Sequence, residues 1–436
     1  MHDFNEPAAH RRLTRRVLAL LGLGASLVAL PAAQCVSIGN PPPDYGVYYN
    51  TTDPTNNGAT YVGSAACRSC HNDFAAAHAI HGHAHALKAP LGAPPTYPSE
   101  APLAGVPNPP DGFAWTDIAY VVGGHMHGAK FLDQSGYFII NSTSGVDSQW
   151  NLQSPPNGGA ARFAPFGPAD PVPLPFAFDD FAPRTTGALA QDPAAPLFQD
   201  GRAGIRGTWS EPGVQCEACH GPGSNHLPDP FERELFVDLT GAESCFKCHS
   251  QPYGATDGVI PVDEAFIVPL AQYPELRASG GHRDFSCTYC HDTHASSVFD
   301  PDRGIRNRCT ACHDTLDLGF HTGVVFERGD YSEPFSCESC HMPFAVRSYS
   351  TADPAVVGPV ARVADTRSHI FRINTQPVDY ISFISPDGTQ VRRDAEGRAA
   401  LTVDYVCLRC HNGNGAFSLT LERAAEIASQ IHEEFE

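Results

Sequence analysis

Apolar residues in this chain come in short stretches, separated by longer polar segments rich in proline and glycine. The longest apolar run, 14 residues at 17–30, follows Arg11, Arg12, Arg15 and Arg16 and leads into Pro31-Ala32-Ala33-Gln34. A basic start, an apolar middle and a small-residue exit form an export signal, and the run is short for a membrane span. Residues 35–60, with Asn40-Pro41-Pro42-Pro43 and Asn56-Asn57-Gly58, read as a linker. An Ala-rich stretch predicts a helix over 72–87, and a Pro-rich loop follows at 89–111. The pattern then changes to strand at Ile118-Ala119-Tyr120-Val121-Val122, Lys130-Phe131-Leu132 and Tyr137-Phe138-Ile139-Ile140, with a hairpin turn at Asp133-Gln134-Ser135-Gly136. Residues 143–212 read as irregular. A small strand region is predicted over 377–393 and a last helix over 419–435, with Leu421, Ala425, Ile427 and Ile431 as its apolar stripe.

Composition changes this picture. The 436 residues would fill two or three ordinary domains, yet 39 are glycine, 39 proline, and only 17% are charged. Such a chain is loop-rich and fits a fold built around a buried cofactor better than one built on a side-chain core. The formal net charge of -20 makes nucleic acid and anionic membrane surfaces poor partners and leaves a basic redox partner easier to accommodate.

The candidate chemistry is a repeated pentapeptide. Cys67-Cys70-His71, Cys216-Cys219-His220, Cys245-Cys248-His249, Cys287-Cys290-His291, Cys309-Cys312-His313, Cys337-Cys340-His341 and Cys407-Cys410-His411 all have the form C-x-x-C-H. The two thiols of this pattern form thioethers to haem, and the adjacent imidazole is held as the proximal iron ligand. Seven copies use 14 of the 15 cysteines, and zinc ribbons or disulfides would not need a histidine after every second cysteine. The expected cofactors are therefore seven covalently attached c-type haems. Covalent haem attachment outside the cytoplasm agrees with the export signal. Met342 follows His341 directly and so cannot reach the far side of the same iron, which leaves almost no route to His/Met ligation. Low-potential bis-His haems are expected. Cys35 has no haem motif. It stands where a bacterial lipoprotein is acylated, although Gln34 fits that site poorly. Lipidation, a free tail cysteine and a retained anchor stay open.

Tyr61-Val62-Gly63-Ser64, the motif at 67–71, His81-Gly82-His83-Ala84, Trp115 to Gly124 and above all Gly213-Val214-Gln215-Cys216-Glu217-Ala218-Cys219-His220-Gly221-Pro222-Gly223-Ser224-Asn225-His226 resemble the cytochrome c-552/c-554 type of multihaem cytochrome. Cys337-Glu338-Ser339-Cys340-His341-Met342-Pro343 and Ser368-His369-Ile370-Phe371 resemble segments of its octahaem and decahaem relatives. The resemblance covers about residues 61–415. It implies a multihaem cytochrome fold, mostly irregular chain and short α-helices wrapped around stacked haems, with a small β-hairpin. Relatives carry a further motif ending in His-Thr-Thr-Gly. Here Thr185-Thr186-Gly187 remains, but Asp180, Pro183 and Arg184 replace the two cysteines and the histidine. Either an ancestral eighth haem has been lost, leaving its distal histidine idle or its loop bridging a gap between haems, or the Thr-Thr-Gly is fortuitous.

Twelve histidines downstream of the signal lie outside the motifs. For the distal ligands, His83 and His369 carry over from the family segments. His226 lies six residues after His220, which suits a neighbouring haem; His282 precedes Cys287 by five; His294 follows His291 by three. His125 and His321 are chosen on turn context, with His127 a near-equal rival to His125. His78, His81, His85 and His432 are expected to be solvated or to support a ligand.

The expected organisation is a signal at 1–34, a linker at 35–60, an N-terminal haem region at 61–142, a Pro-rich loop with a degenerate haem site at 143–212, a five-haem core at 213–345 and a C-terminal haem region at 346–436. First cysteines in the core lie 29, 42, 22 and 28 residues apart, too close for independent domains. The function expected first is electron transfer between redox protein partners outside the cytoplasm, in the periplasm or at the cell surface, alone, in a membrane complex, or as a homo-oligomer or filament. The alternative is a reductase with one open-site haem acting on a small nitrogen or sulfur oxyanion. All seven motifs end in His rather than Lys, which counts against the lysine-ligated nitrite reductase mechanism. A purely structural, partner-binding role stays a third possibility.

Overall fold

The alternating stretch after residue 111 closes into a seven-stranded sheet. Its strands are β1 (Leu87–Lys88), β2 (Ile118–Gly123), β3 (Gly128–Asp133), β4 (Tyr137–Phe138), β5 (Gln149–Asn151), β6 (Arg162–Ala164) and β7 (Leu174–Pro175). The order is β1-β2-β3-β4-β7, with β5 also on β3 and β6 on β5, and each pair is antiparallel. The structure is a computed structural model that describes residues 49–50, 53–152, 160–231, 233, 235–237, 243–328, 331–413 and 417–432. The export signal, Cys35 and linker residues 35–48 and 51–52 lie outside the described residues.

The predicted hairpin is correct: Leu132 pairs with Phe138 across β3 and β4, on either side of the turn at 133–136, and β2 extends it, with Tyr120 on Leu132 and Val121 on Phe131. The expectation of only a small hairpin is not, because both faces of this sheet are covered. Val121, Ala129 and Phe131 pack with Val106, Ile118 and Ile139 on one face. Tyr120, Val122, Leu132 and Phe138 pack with Phe176, Phe181 and Trp209 on the other. Segments read as irregular within 143–212 supply β5, β6 and β7, strands of two or three residues that are too short to show an alternation.

The remainder is short elements around small sheets. Val262–Asp263 (β8), Phe266–Ile267 (β9), Val346–Thr351 (β12) and Ala364–Thr366 (β13) form a four-stranded sheet, and Val325–Arg328 (β10) and Tyr331–Pro334 (β11) form a hairpin. Ile267, Val346, Ala364, Ile370, Leu401 and Tyr405 are central to the core here. Tyr349 of β12 docks on the first sheet, where a Cβ on Gly123 would meet its hydroxyl, and one on Gly128 its ring, at 2.5 Å. Only glycine allows that approach, and Gly123 also has φ 87°.

Helices are short, and the longest among the described residues, α2 (Leu421–Ala428), has 8 residues. Among the described residues, no helix is long and apolar enough to cross a membrane. The helix predicted over 72–87 stops early. α1 (Asn72–His78) is followed by a separate 3₁₀ turn, Gly82–His85, which starts where His81 Nδ1 accepts the His83 N–H at 3.0 Å. α2 begins at its cap Thr420 and ends at Ala428, short of the predicted 435. The predicted strands over 377–393 reduce to a 3₁₀ turn, Tyr380–Ser382, and isolated bridges such as Ile384 to Val391.

Candidate metal centres

Each C-x-x-C-H sits on a tight helical turn. The His N–H bonds to the carbonyl of the first Cys at 2.9 Å for His71 and His313, and at 3.0 Å for His249, His291 and His411. His220 and His341 end the one-turn helices Cys216–His220 and Cys337–His341. Side chains three and four apart lie on the same face of a helix, so this turn presents two thiols and an imidazole to one side. None of the 14 described cysteines is in a disulfide. Among the described residues, no three His, Cys, Asp or Glu side chains converge on a metal position as a zinc site requires.

Each motif imidazole faces another imidazole. The ring-centre separations are 6.4 Å for His71–His226, 6.1 Å for His220–His294, 6.0 Å for His249–His83 and 6.2 Å for His291–His369. They are 5.9 Å for His313–His282, 6.0 Å for His341–His432 and 6.1 Å for His411–His321. A metal bonded about 2 Å from one nitrogen of each of two imidazoles holds their centres about 6 Å apart. Seven pairs at this one distance fit an iron between each pair.

Hydrogen bonds set the tautomers. Nδ1 of His341 donates to the Phe371 carbonyl at 2.8 Å, Nδ1 of His411 to the Phe417 carbonyl at 2.5 Å, and Nδ1 of His226 to the Arg233 carbonyl at 2.8 Å. His249 Nδ1 meets Gln272 Oε1 at 2.9 Å. A carbonyl only accepts, so the proton is on Nδ1 and the Nε2 lone pair is free for a metal. Burial lowers the pKa of His220 to about 4 and that of His369 to about 3, and pushes His83 well below the usual range, which keeps all three neutral at pH 7.

Six of the seven expected distal histidines thus stand opposite motif histidines: His83, His226, His282, His294, His321 and His369. His125 does not. It is buried and stacked on His85 at 4.7 Å with 10° between the planes, too close for a metal between the faces. His432, set aside in the sequence reading, takes the place opposite His341. Of the remaining histidines, His78 and His81 face each other at 6.0 Å with no motif histidine in the pair, and His81 Nδ1 is taken by the His83 N–H. His78 Nε2 lies 3.0 Å from the Val214 carbonyl, His85 Nε2 2.8 Å from the Ala79 carbonyl, and His127 Nε2 3.3 Å from Thr366 Oγ1.

The motifs also follow one another in space in their order along the chain. Cys67 lies beside Cys216. Cys219 is within electrostatic reach of Cys245 and Cys248. Cys245 is near Cys287, Cys290 near Cys312, Cys309 near Cys337, and Cys340 near Cys407 and Cys410. The degenerate segment keeps the shape of a motif turn, with helix Phe178–Phe181 running into the 3₁₀ turn Ala182–Arg184. It lies beside this line, with Arg184 near Cys248.

No family model and no curated protein matches the chain. Solved structures do. The octahaem sulfite reductase MccA of Wolinella succinogenes is 17% identical over 83% of this chain and 67% of its own, with a TM-score of 0.50. The chain has a multihaem cytochrome fold. The outer cell wall cytochrome OcwA is 17% identical over 85% of this chain and 86% of its own, with a TM-score of 0.45. The undecahaem cytochrome from the S-layer of Carboxydothermus ferrireducens is 15% identical over 78% of this chain and 52% of its own, with a TM-score of 0.37.

Proposed function

We propose that this chain is a seven-haem c-type cytochrome that carries electrons along closely packed, bis-His haems between redox proteins outside the cytoplasm. The observation that carries this reading is the set of seven imidazole pairs, each joining one motif histidine to one other at 5.9–6.4 Å. Haem held in these pairs supplies one-electron iron chemistry. The chain's own part is to hold and space it. The paired thiols would hold each haem covalently and the two facing imidazoles would ligate its iron, while carbonyls such as that of Phe371 orient the rings. The nearness of successive motifs from Cys67 to Cys410 supports a path for electrons along the chain order.

A reductase needs an iron with a face left open to substrate. Sulfite reduction belongs to MccA; in this chain every motif histidine has a partner ring, which supports the carrier reading. The lost eighth haem and the c-552/c-554 resemblance belong to the same reading, with the degenerate turn at 178–187 as a former side branch. The export signal supports a periplasmic or cell-surface location.

The test is a haem count by pyridine haemochrome together with low-temperature EPR of the oxidised, haem-loaded protein. Seven haems per chain with only low-spin signals are expected. A stoichiometric high-spin signal would replace the carrier reading with the reductase one.

A further inference from the structure

The two ends of the motif line sit in opposite electrostatic environments. At the far end, Arg409 lies inside the last motif, between Cys407 and Cys410, and is 1% exposed. It pairs with Glu333 of β11 through Nη2 at 3.1 Å. Arg367 donates to Glu333 at 2.9 Å and to the carbonyls of Glu338 and Met342, at the sixth motif, at 2.8 and 2.9 Å. Arg328 of β10 donates to the Arg409 carbonyl and faces Cys410. Arg409 and Arg367 against the one buried carboxylate, Glu333, leave a net positive charge beside the seventh site; the partly exposed Glu338 of the sixth motif acts on Cys309 of the fifth.

At the near end the sign is reversed. Glu217 lies inside the second motif and is 3% exposed. Its carboxylate accepts the N–H groups of Val62, Gly63 and Gly223 at 2.7–3.1 Å. Glu211, half-buried, accepts the Ser64 N–H at 2.9 Å and the Ser64 hydroxyl at 2.6 Å. Both carboxylates act on Cys67. The nearby cation is Arg68, which is exposed and so screened by solvent.

Reduction places one extra negative charge on an iron site. A fixed positive charge nearby favours that state, and a fixed negative charge disfavours it, the more so when buried. We propose that these two clusters polarise the line, so that electrons come in from a donor at the His71 end, the low-potential end, and leave to an acceptor at the His411 end, the high-potential end. This inference rests on the seven-haem carrier reading.

The test is a spectroelectrochemical titration of the haem-loaded protein and three variants. Arg328→Met should lower the steps reduced first, at the top of the potential range. Glu211→Gln should raise the steps reduced last. Its carbonyl can take the Ser64 N–H, and the Ser64 hydroxyl can turn to accept from the new amide. Arg328→Lys should keep the wild-type curve, because it keeps the charge. Each neutralisation should change the electron equilibrium by about tenfold, or about 59 mV for a one-electron step. Variants that move neither end, that move the opposite end, or a lysine that fails to rescue, would overturn the polarity. If Arg328→Met does not assemble, Glu211→Gln alone decides, since an unmoved low-potential end overturns the proposal. Haem count and EPR on the same samples keep the two readings apart. Seven low-spin haems with an unmoved curve remove the polarity alone, and a different haem complement removes the carrier reading.

Discussion

His341 and His432 lie ring to ring, 6.0 Å apart with 11° between their planes, although they come from the sixth motif and the last turn of the described chain. His341 Nδ1 is held by the Phe371 carbonyl, so its Nε2 points to the space between the rings. Removing His432 should leave one iron with an open face. His432→Ala is expected to give one high-spin haem per chain by EPR and to bind about one equivalent of carbon monoxide when reduced. His78→Ala, which loses a ring bonded to the Val214 carbonyl, should bind none. An all-low-spin His432→Ala protein would remove His432 from the ligand set.

His125 predicts the opposite. Its ring packs against His85 at 4.7 Å and meets Phe299 edge-on at 5.0 Å. His125→Ala should keep the full haem count and every low-spin signal. It should lower stability by about 1–3 kcal/mol, the cost of a cavity and lost ring contacts. Guanidinium unfolding followed by Soret absorbance measures this directly. A new high-spin signal would restore His125 as a ligand.

The motifs made the site legible because haem attachment is local. Five consecutive residues carry the thiols and the proximal imidazole, and one helical turn is enough to present them. Distal ligands are contacts made across the fold, and sequence gives them only through context. His83 and His369 could be carried over on family segments, and His226, His282 and His294 on their distance from a motif. Turn context favoured His125, with His127 as its rival, but the bend at 124–127 between β2 and β3 buries His125 among the rings of His85, Tyr97 and Phe299 instead of facing it to a motif histidine. A signal for His432 existed: at helical spacing, 432 continues the stripe of Leu421, Ala425 and Ala428. The sheet beyond the hairpin was not legible, since strands as short as Leu174–Pro175 are defined by their partners rather than by a period.

Glu333 should control the acid limit of the C-terminal core. Burial alone would raise its pKa, but Arg409 and Arg367 outweigh it and hold the carboxyl at about 2. A lowered carboxyl pKa stabilises the fold above the unfolded value of about 4.5, and that stability is lost as pH falls towards 2. Glu333→Gln should therefore show a shallower loss of unfolding free energy between pH 4.5 and 2 than the native chain. At pH 7 it should be less stable by about 3–5 kcal/mol, because Arg409 is left buried and unpaired. An unchanged acid slope would show that the pair contributes nothing to stability.

Glu275 works in the next pH window with the opposite sign. It is 0% exposed, and its Oε2 accepts the Ser368 hydroxyl and the His369 N–H, each at 2.6 Å, while its buried Oε1 has no hydrogen bond. Burial raises its pKa to about 7, against the pull of those two donors. Below about pH 4.5 the group is protonated both folded and unfolded, and it costs nothing. Between 4.5 and 7 the unfolded chain ionises while the folded one keeps its proton, so stability falls across that window and levels off above it. The full loss is about 3 kcal/mol. Glu275→Gln keeps an acceptor oxygen for Ser368 and His369 and removes the ionisation. It should flatten the stability profile between pH 4.5 and 7 and gain most at the upper end. Guanidinium unfolding at pH 4.5 and 7.5 separates the outcomes: a variant that loses as much between them as the native chain would show that Glu275 is ionised in the fold, with its second oxygen hydrated.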